Sequence, residues 1–231
     1  MAIRFRRDQR TRPIPGRHLD DGRGLHAFGG QVAVCCARCG RAGWVVAQPT
    51  SHRWSVRFRC SHCSFAADSG EGVWLGPVSY RGRRPCGYCG HQWVSACLHR
   101  EAAAQVQVTT VVACPQCGHE NVVGLECHRE RGNAPRDPHF GMPLALVTTT
   151  RAGELWAYND AHLQQLLEFS RARLRESCYV GNASMMSRLP TWMKLARNRK
   201  LVETAVMRLQ AQLATLPAVP PLATSPSPAS S

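Results

Sequence analysis

The sequence predicts a small α+β protein held together by metal. Two tandem four-cysteine modules, with rubredoxin-like knuckles on short antiparallel strands, precede a β-hairpin and a small helical C-terminal domain. Three observations carry this. Four CxxC pairs, Cys36/Cys39, Cys60/Cys63, Cys86/Cys89 and Cys114/Cys117, lie in the first 117 of 231 residues. They couple as C-x2-C-x20-C-x2-C and C-x2-C-x24-C-x2-C, and the two couples start 50 residues apart, which makes an internal repeat. From Leu144 onward the pattern changes to strand alternation and then to helical periodicity.

Residues 1–31 read as a basic disordered arm, punctuated by Pro and Gly, with seven Arg against Asp8, Asp20 and Asp21. Residues 32–76 form the first zinc ribbon. The second Cys of three pairs is followed by Gly40, Gly90 or Gly118, and that of the fourth by Ser64. Such a tight turn lets two thiolates converge on one ion, so Cys36, Cys39, Cys60 and Cys63 make one structural zinc site. Cys35 could replace Cys36, since the run Cys-Cys-x-x-Cys leaves the register open. Trp44-Val45-Val46 reads as one strand and Ser51–Cys60 as another. The second alternates, with Trp54, Val56 and Phe58 on an apolar face and Arg53, Arg57 and Arg59 on the other.

Residues 77–128 form the second zinc ribbon, its ion held by Cys86, Cys89, Cys114 and Cys117, so two zinc ions per chain are expected. Residues 69–85 read as a Gly-rich connector with a short strand at Val73-Trp74-Leu75. The strand facing the second ribbon's zinc is placed at Gln105–Val112, with no charge on either face. Disulfides would need an oxidising compartment, and a redox dithiol does not recur four times. Cys35, Cys97, Cys127 and Cys178 are left over. Cys97, His99, Cys127 and His128 offer metal donors, but CxH and CH spacings fit no closed structural site, and free thiols are the default reading.

Residues 129–158 contain a loop and a hairpin, Leu144–Thr150 against Leu155–Tyr158. Residues 159–216 are helical. Asn159 or Asp160 caps a helix running to about Glu176, with Leu163, Leu166, Leu167 and Leu174 on one face. A short helical stretch spans Met185–Leu189, and a last helix covers Arg199–Leu216. Residues 144–216, hairpin and helices together, are expected to bury a core of their own and to fold without metal. Residues 217–231 are a disordered Pro/Ser tail.

The chain has 29 Lys+Arg against 15 Asp+Glu, a formal net charge of +14. That surplus favours polyanions, nucleic acid first. Two basic surfaces are the candidates: Arg53, Arg57 and Arg59, and the cluster Arg188, Lys194, Arg197, Arg199 and Lys200. A solvated face is the plain alternative. The N-terminus has no apolar h-region and no apolar run is long enough to span a bilayer, so a cytoplasmic protein without membrane contact is expected. No phosphate-binding loop, dinucleotide fingerprint, nucleophile elbow or HExxH is present. Asp137, His139, Glu154, Asp160 and His162 supply the only nuclease-like metal donors.

On Gly76-Pro-Val, Cys86-Gly-Tyr-Cys89-Gly, Asp137-Pro-His-Phe-Gly141, Leu155-Trp-Ala-Tyr-Asn159 and Ser187-Arg-Leu-Pro-Thr-Trp-Met-Lys194, the chain resembles uncharacterised bacterial proteins with zinc ribbons of the transcription factor IIB type. The resemblance implies bacterial origin and zinc at the CxxC pairs, and no activity. The expectation is a non-catalytic zinc-ribbon protein that binds DNA or RNA, with no small-molecule substrate. A protein-interaction adaptor is the alternative, and a metal-dependent nuclease-like enzyme the minor one.

Overall fold

A computed structural model of the chain describes residues 16–49, 54–101, 108–130, 134–177 and 184–220. Arg53, Gln105–Gln107 and Cys178 lie outside the described residues. The repeat seen in the cysteines is a repeat of strand pairs. Strands β2 (Gln31–Cys35) and β3 (Ala42–Pro49) flank the first knuckle, and β4 (Trp54–Arg59) and β5 (Ala66–Asp68) flank the second. In the second module β6 (Val78–Arg84) and β7 (Val94–Arg100) flank the third, and β8 (Thr109–Ala113) and β9 (Glu120–Gly124) the fourth. Each pair is antiparallel.

The two modules pack differently. In the first, β2-β3-β4-β5 close into one sheet. The rung Val32–Val45–Phe58–Ala67 is buried throughout, as period-two alternation requires of the inner face. In the second module β6-β7 and β8-β9 remain separate sheets, and β10 (Glu126–Arg129) adds to the free edge of β6. The second part of the expected connector is therefore strand β6. Val73-Trp74-Leu75 is not a strand; Trp74 instead packs with Val78 and Tyr80 in a small cluster of its own. The glycine and three arginines of Val78–Arg84 hide its strand character from a propensity reading, and pairing on both edges supplies it.

The first 31 residues are not wholly an unstructured arm. β1 (Arg17–Asp20) pairs in parallel with β13 (Leu174–Ser177), and a 3-10 turn, Leu25–Phe28, leads into β2. Asp20 is buried and accepts hydrogen bonds from the Ser184 hydroxyl (2.6 Å) and the Gly22 N–H (3.0 Å). The same pairing shortens the first helix. Helix α1 (Asp160–Arg171) is capped by the Asn159 side chain, which accepts from the His162 N–H, and stops before Leu174. Leu174 is thus an exposed strand residue and not part of the helix's apolar face.

The hairpin β11 (Val147–Thr150) and β12 (Gly153–Trp156) forms where expected. Met185–Leu189 makes turns, followed by the single-turn helix α2 (Thr191–Lys194). Helix α3 (Arg199–Leu213) buries Val202, Ala205, Val206 and Leu209 at helical spacing. The start of the tail is ordered too: Trp44 Nε1 donates to the Pro217 carbonyl (2.7 Å), and Val219 packs on the core.

Among the described residues, the helical part shares its core with the first module. Val32, Val45 and Phe58 of the first module lie in one cluster with Leu144, Leu146, Leu163, Leu166, Val206 and Leu209. The outer edge of β2 is stitched to the C-terminal part by Ala33 N–H to Tyr158 O, Ala145 N–H to Ala33 O and Cys35 N–H to Pro143 O. These bonds satisfy an edge that would otherwise be open. Gly76 and Gly141 meet backbone to backbone: a side-chain carbon at Gly76 would lie 2.9 Å from the Gly141 carbonyl oxygen. Among the described residues, no helix is long and apolar enough to cross a membrane.

Candidate metal centres and basic surfaces

Three of the knuckles are built by the same two short-range bonds, and in the fourth the Cys60 N–H donates to Phe65 O in the same way. The Cys36 N–H donates to Arg41 O and the Gly40 N–H to Cys36 O; Cys86 with Gly90, and Cys114 with Gly118, repeat both. The residue after the second Cys is left-handed, with φ of 71° at Gly40, 72° at Gly90 and 75° at Gly118. Ser64 takes the same conformation with φ 58°. A β-carbon there costs about 1–2 kcal/mol against the following carbonyl, less the entropy that glycine forfeits. Ser64→Gly should therefore raise stability by about 0.5–1 kcal/mol in a denaturant titration. A midpoint that stays or falls would show that Ser64 is held by something else.

The knuckles bring the eight predicted cysteines into two groups of four, Cys36/Cys39/Cys60/Cys63 and Cys86/Cys89/Cys114/Cys117. Within each group the sulfurs all lie within 4.8 Å of one another, so each could hold a metal ion. Cys36 and Cys63 stand 3.7 Å apart, Cys39 and Cys60 3.6 Å, Cys86 and Cys117 3.7 Å, and Cys89 and Cys114 3.8 Å. Cys35 belongs to neither group. Its Sγ turns to the Leu144 carbonyl (3.8 Å), and burial pushes its thiol up.

Backbone dipoles prepare these sulfurs for charge. The N–H groups of Cys63 and His62 pull the Cys60 thiol down to about 6, and those of Cys89 and Tyr88 do the same for Cys86. Cys39 and Cys117 go the other way. Despite N–H donors from Arg41 and His119, desolvation and the neighbouring thiols push both up to about 12. Four sulfurs this close cannot share several negative charges without a cation among them. One residue without a sequence signature supports the second centre. Asn121 is buried, donates from Nδ2 to Cys86 Sγ (3.6 Å) and His119 O (2.9 Å), and accepts the Gly87 N–H (3.0 Å). An Asn four residues past a knuckle carries no pattern of its own; only the fold turns it onto the sulfur.

The basic candidates divide. On β4, Arg57 and Arg59 are exposed and Val56 and Phe58 buried, as the alternation requires. However, Arg57 Nε lies 3.3 Å from Asp68 Oδ2 on the neighbouring strand, and Trp54 is exposed rather than buried beside the centre. In the C-terminal cluster Arg188, Arg197 and Lys200 are exposed. Lys194 Nζ donates to Ser187 O (2.5 Å), and Arg199 donates to Arg173 O (3.1 Å). Those two side chains tie turns together.

The second module, whose Gln105–Val112 stretch is uncharged, carries Arg81, Arg83 and Arg84 exposed on β6, with no ion pair among the described residues. The Arg83 guanidinium sits 4.5 Å from the centroid of Trp93, which is 45% exposed. Tyr88, 67% exposed, stacks on His119 at 4.4 Å.

The nuclease-like donors are not brought together. Among the described residues, the two cysteine groups are the only sets of three or more donors poised for a metal. Asp137 is buried and accepts N–H bonds from His139 (2.9 Å), Phe140 (2.9 Å) and Met142 (2.6 Å), while burial pushes its carboxyl up. His139 Nε2 is 2.9 Å from Gly29 O, and Glu154 and Asp160 are exposed. His162 Nδ1 accepts the Tyr158 N–H (3.2 Å). Comparison of the chain with protein-family models, characterised proteins and solved structures gives no match.

Proposed function

We propose that the two centres hold structural zinc and that the protein binds nucleic acid through the second module. The sulfur spacing supports the first part. Zn–S bonds of about 2.3 Å at the tetrahedral angle place sulfurs about 3.8 Å apart, and two pairs in each group here are 3.6–3.8 Å apart. Four thiolates close the coordination shell, which gives zinc a structural task. Asn121 then acts as an outer-sphere donor to the second zinc. Asn121→Ala should weaken zinc retention there by about tenfold or more, read as faster transfer to a chelator, with the first centre unchanged. Equal transfer from both centres would sink that role.

The observation that carries nucleic-acid binding is the strand β6 surface. Arg81 and Arg83 project from one face about 6.5–7 Å apart, close to the phosphate spacing of a single strand. Trp93 beside Arg83, and Tyr88 on the third knuckle, offer exposed rings for base stacking. Arg81 and Arg83 have no carboxylate partner among the described residues, whereas Arg57 has Asp68. Fluorescence anisotropy of a labelled single strand across a salt series tests this. Arg81→Gln with Arg83→Gln should lower the salt slope by about 1–1.5 units. Trp93→Ala should cost about 1–3 kcal/mol of binding, and Arg57→Gln with Arg59→Gln should change the slope less.

An adaptor is the second reading, favoured by one feature. Val111 and Val122 face each other across β8 and β9 and are 57% and 56% exposed, with Val108 at 62%. If the parent protein does not bind DNA or RNA at low salt, the arginine surface is only solvated and the valine face becomes the site to pursue.

A further inference from the structure

The three-stranded sheet β10-β6-β7 sorts the leftover cysteines and histidines by face. Its register places His99, Ser79 and His128 on one rung, and Cys97, Arg81 and Glu126 on the next rung of the same face. Cys127 pairs with Tyr80 and therefore points to the other side. Of the four donors that sequence alone grouped together, three share a surface and one does not.

Within that surface two donors are already in ligand geometry. Cys97 Sγ lies 3.4 Å from His99 Nε2, close to the edge of a tetrahedron with one sulfur and one nitrogen arm of about 2.3 and 2.0 Å. The other ring nitrogen of His99, Nδ1, is 2.6 Å from Glu130 Oε1. This is the arrangement in which a carboxylate fixes the tautomer of a metal-bound imidazole and leaves Nε2 free for the ion. His128 stands across Ser79, two strand spacings or about 9.6 Å away at the backbone. Its ring is half-exposed and only loosely engaged with Glu126, at 3.9 Å, so it can turn inward over a residue as small as serine. Ser79 supplies an independent observation. It is 1% exposed, it lies on the rung between the two histidines, and its hydroxyl has no hydrogen-bond partner among the described residues. A buried hydroxyl without a partner is rare, and water on an ion above it would satisfy this one.

We infer that Cys97, His99 and His128 form a third, exchangeable site for a borderline divalent metal ion such as zinc, with Glu130 orienting His99 and a fourth position left to solvent. Three protein ligands and an open position distinguish it from the two closed four-cysteine centres. Its exposure on a sheet face makes it weaker than they are.

The test uses the full-length protein carrying its two four-cysteine ions, dialysed against metal-free buffer and titrated with zinc against a chromophoric chelator. The expected result is one further equivalent per chain. Cys97→Ser and His99→Ala each abolish it, His128→Ala weakens it by about tenfold or more, and Cys127→Ser takes up zinc like the parent. Retention of the first two ions in every variant shows that the fold survives. As a second readout, the added zinc slows alkylation of Cys97 and leaves that of Cys127 unchanged. The inference is overturned if the parent takes up no third equivalent, if uptake survives loss of Cys97 or of His99, if loss of His128 leaves it as tight as in the parent, or if Cys127→Ser removes it equally.

Discussion

Cys60→Ser, which opens the first metal centre, is expected to unfold the helices together with the first module. Cys36 and Cys60 are themselves members of the main core, buried in one cluster with Leu144, Leu163, Val206 and Leu209. Cys86 and Cys114 instead belong to a small separate cluster with Val94 and Val123. Structural zinc contributes about 10–16 kcal/mol in small ribbons, which matches or exceeds the whole stability of a domain, about 5–15 kcal/mol. Losing the first centre therefore removes more than the core can spare. Losing the second by Cys114→Ser should leave helical circular dichroism and its cooperative melt close to those of the parent. Far-ultraviolet spectra and thermal melts of the two variants decide it. A Cys60→Ser variant that melts like the parent would mean that residues 144–216 carry an independent core after all.

Acid is the second lever, through His162. Its ring is buried, stacked on Phe28 at 5.1 Å and edge-on to Trp156 and Tyr158, and burial pushes its pKa from 6.5 down to about 4. Between those values the unfolded chain binds a proton that the folded chain refuses, so stability falls as pH falls. The slope is about 1.4 kcal/mol per pH unit inside the window, or about 2 kcal/mol between pH 7 and pH 5. Zinc–thiolate centres also weaken in acid, so the useful quantity is a difference. His162→Gln, unfolded in denaturant at both pH values, should lose about 2 kcal/mol less than the parent over that interval. Identical losses in parent and variant would show that His162 is not the group responsible.

The parts of the molecule that are legible in the sequence are those with a local signature. The four CxxC pairs, the left-handed residue after each and the Asn159 cap all depend on bonds spanning at most five residues. The buried stripe of α3 and the Val56/Phe58 alternation are periodicities that any burial must respect. Elsewhere long-range pairing overrides local preference. Leu174 continues the helical spacing of Leu163 and Leu167, yet it joins a parallel pair with residues more than 150 positions earlier. Val78–Arg84 carries weak strand propensity yet sits between two partners.

The sequence by itself determined the eight paired cysteines, their grouping into two sets of four and the positive balance of the chain. Tertiary structure alone decided that the first module and the helices share one core. It also decided that Asp68 meets Arg57, that Asn121 reaches the Cys86 sulfur and that Cys97, His99 and His128 share a face without Cys127. The physical reason is that alternation along a strand states which residues face the same way but not which strand lies beside them. The neighbour is chosen by burial and hydrogen bonding summed over the whole fold.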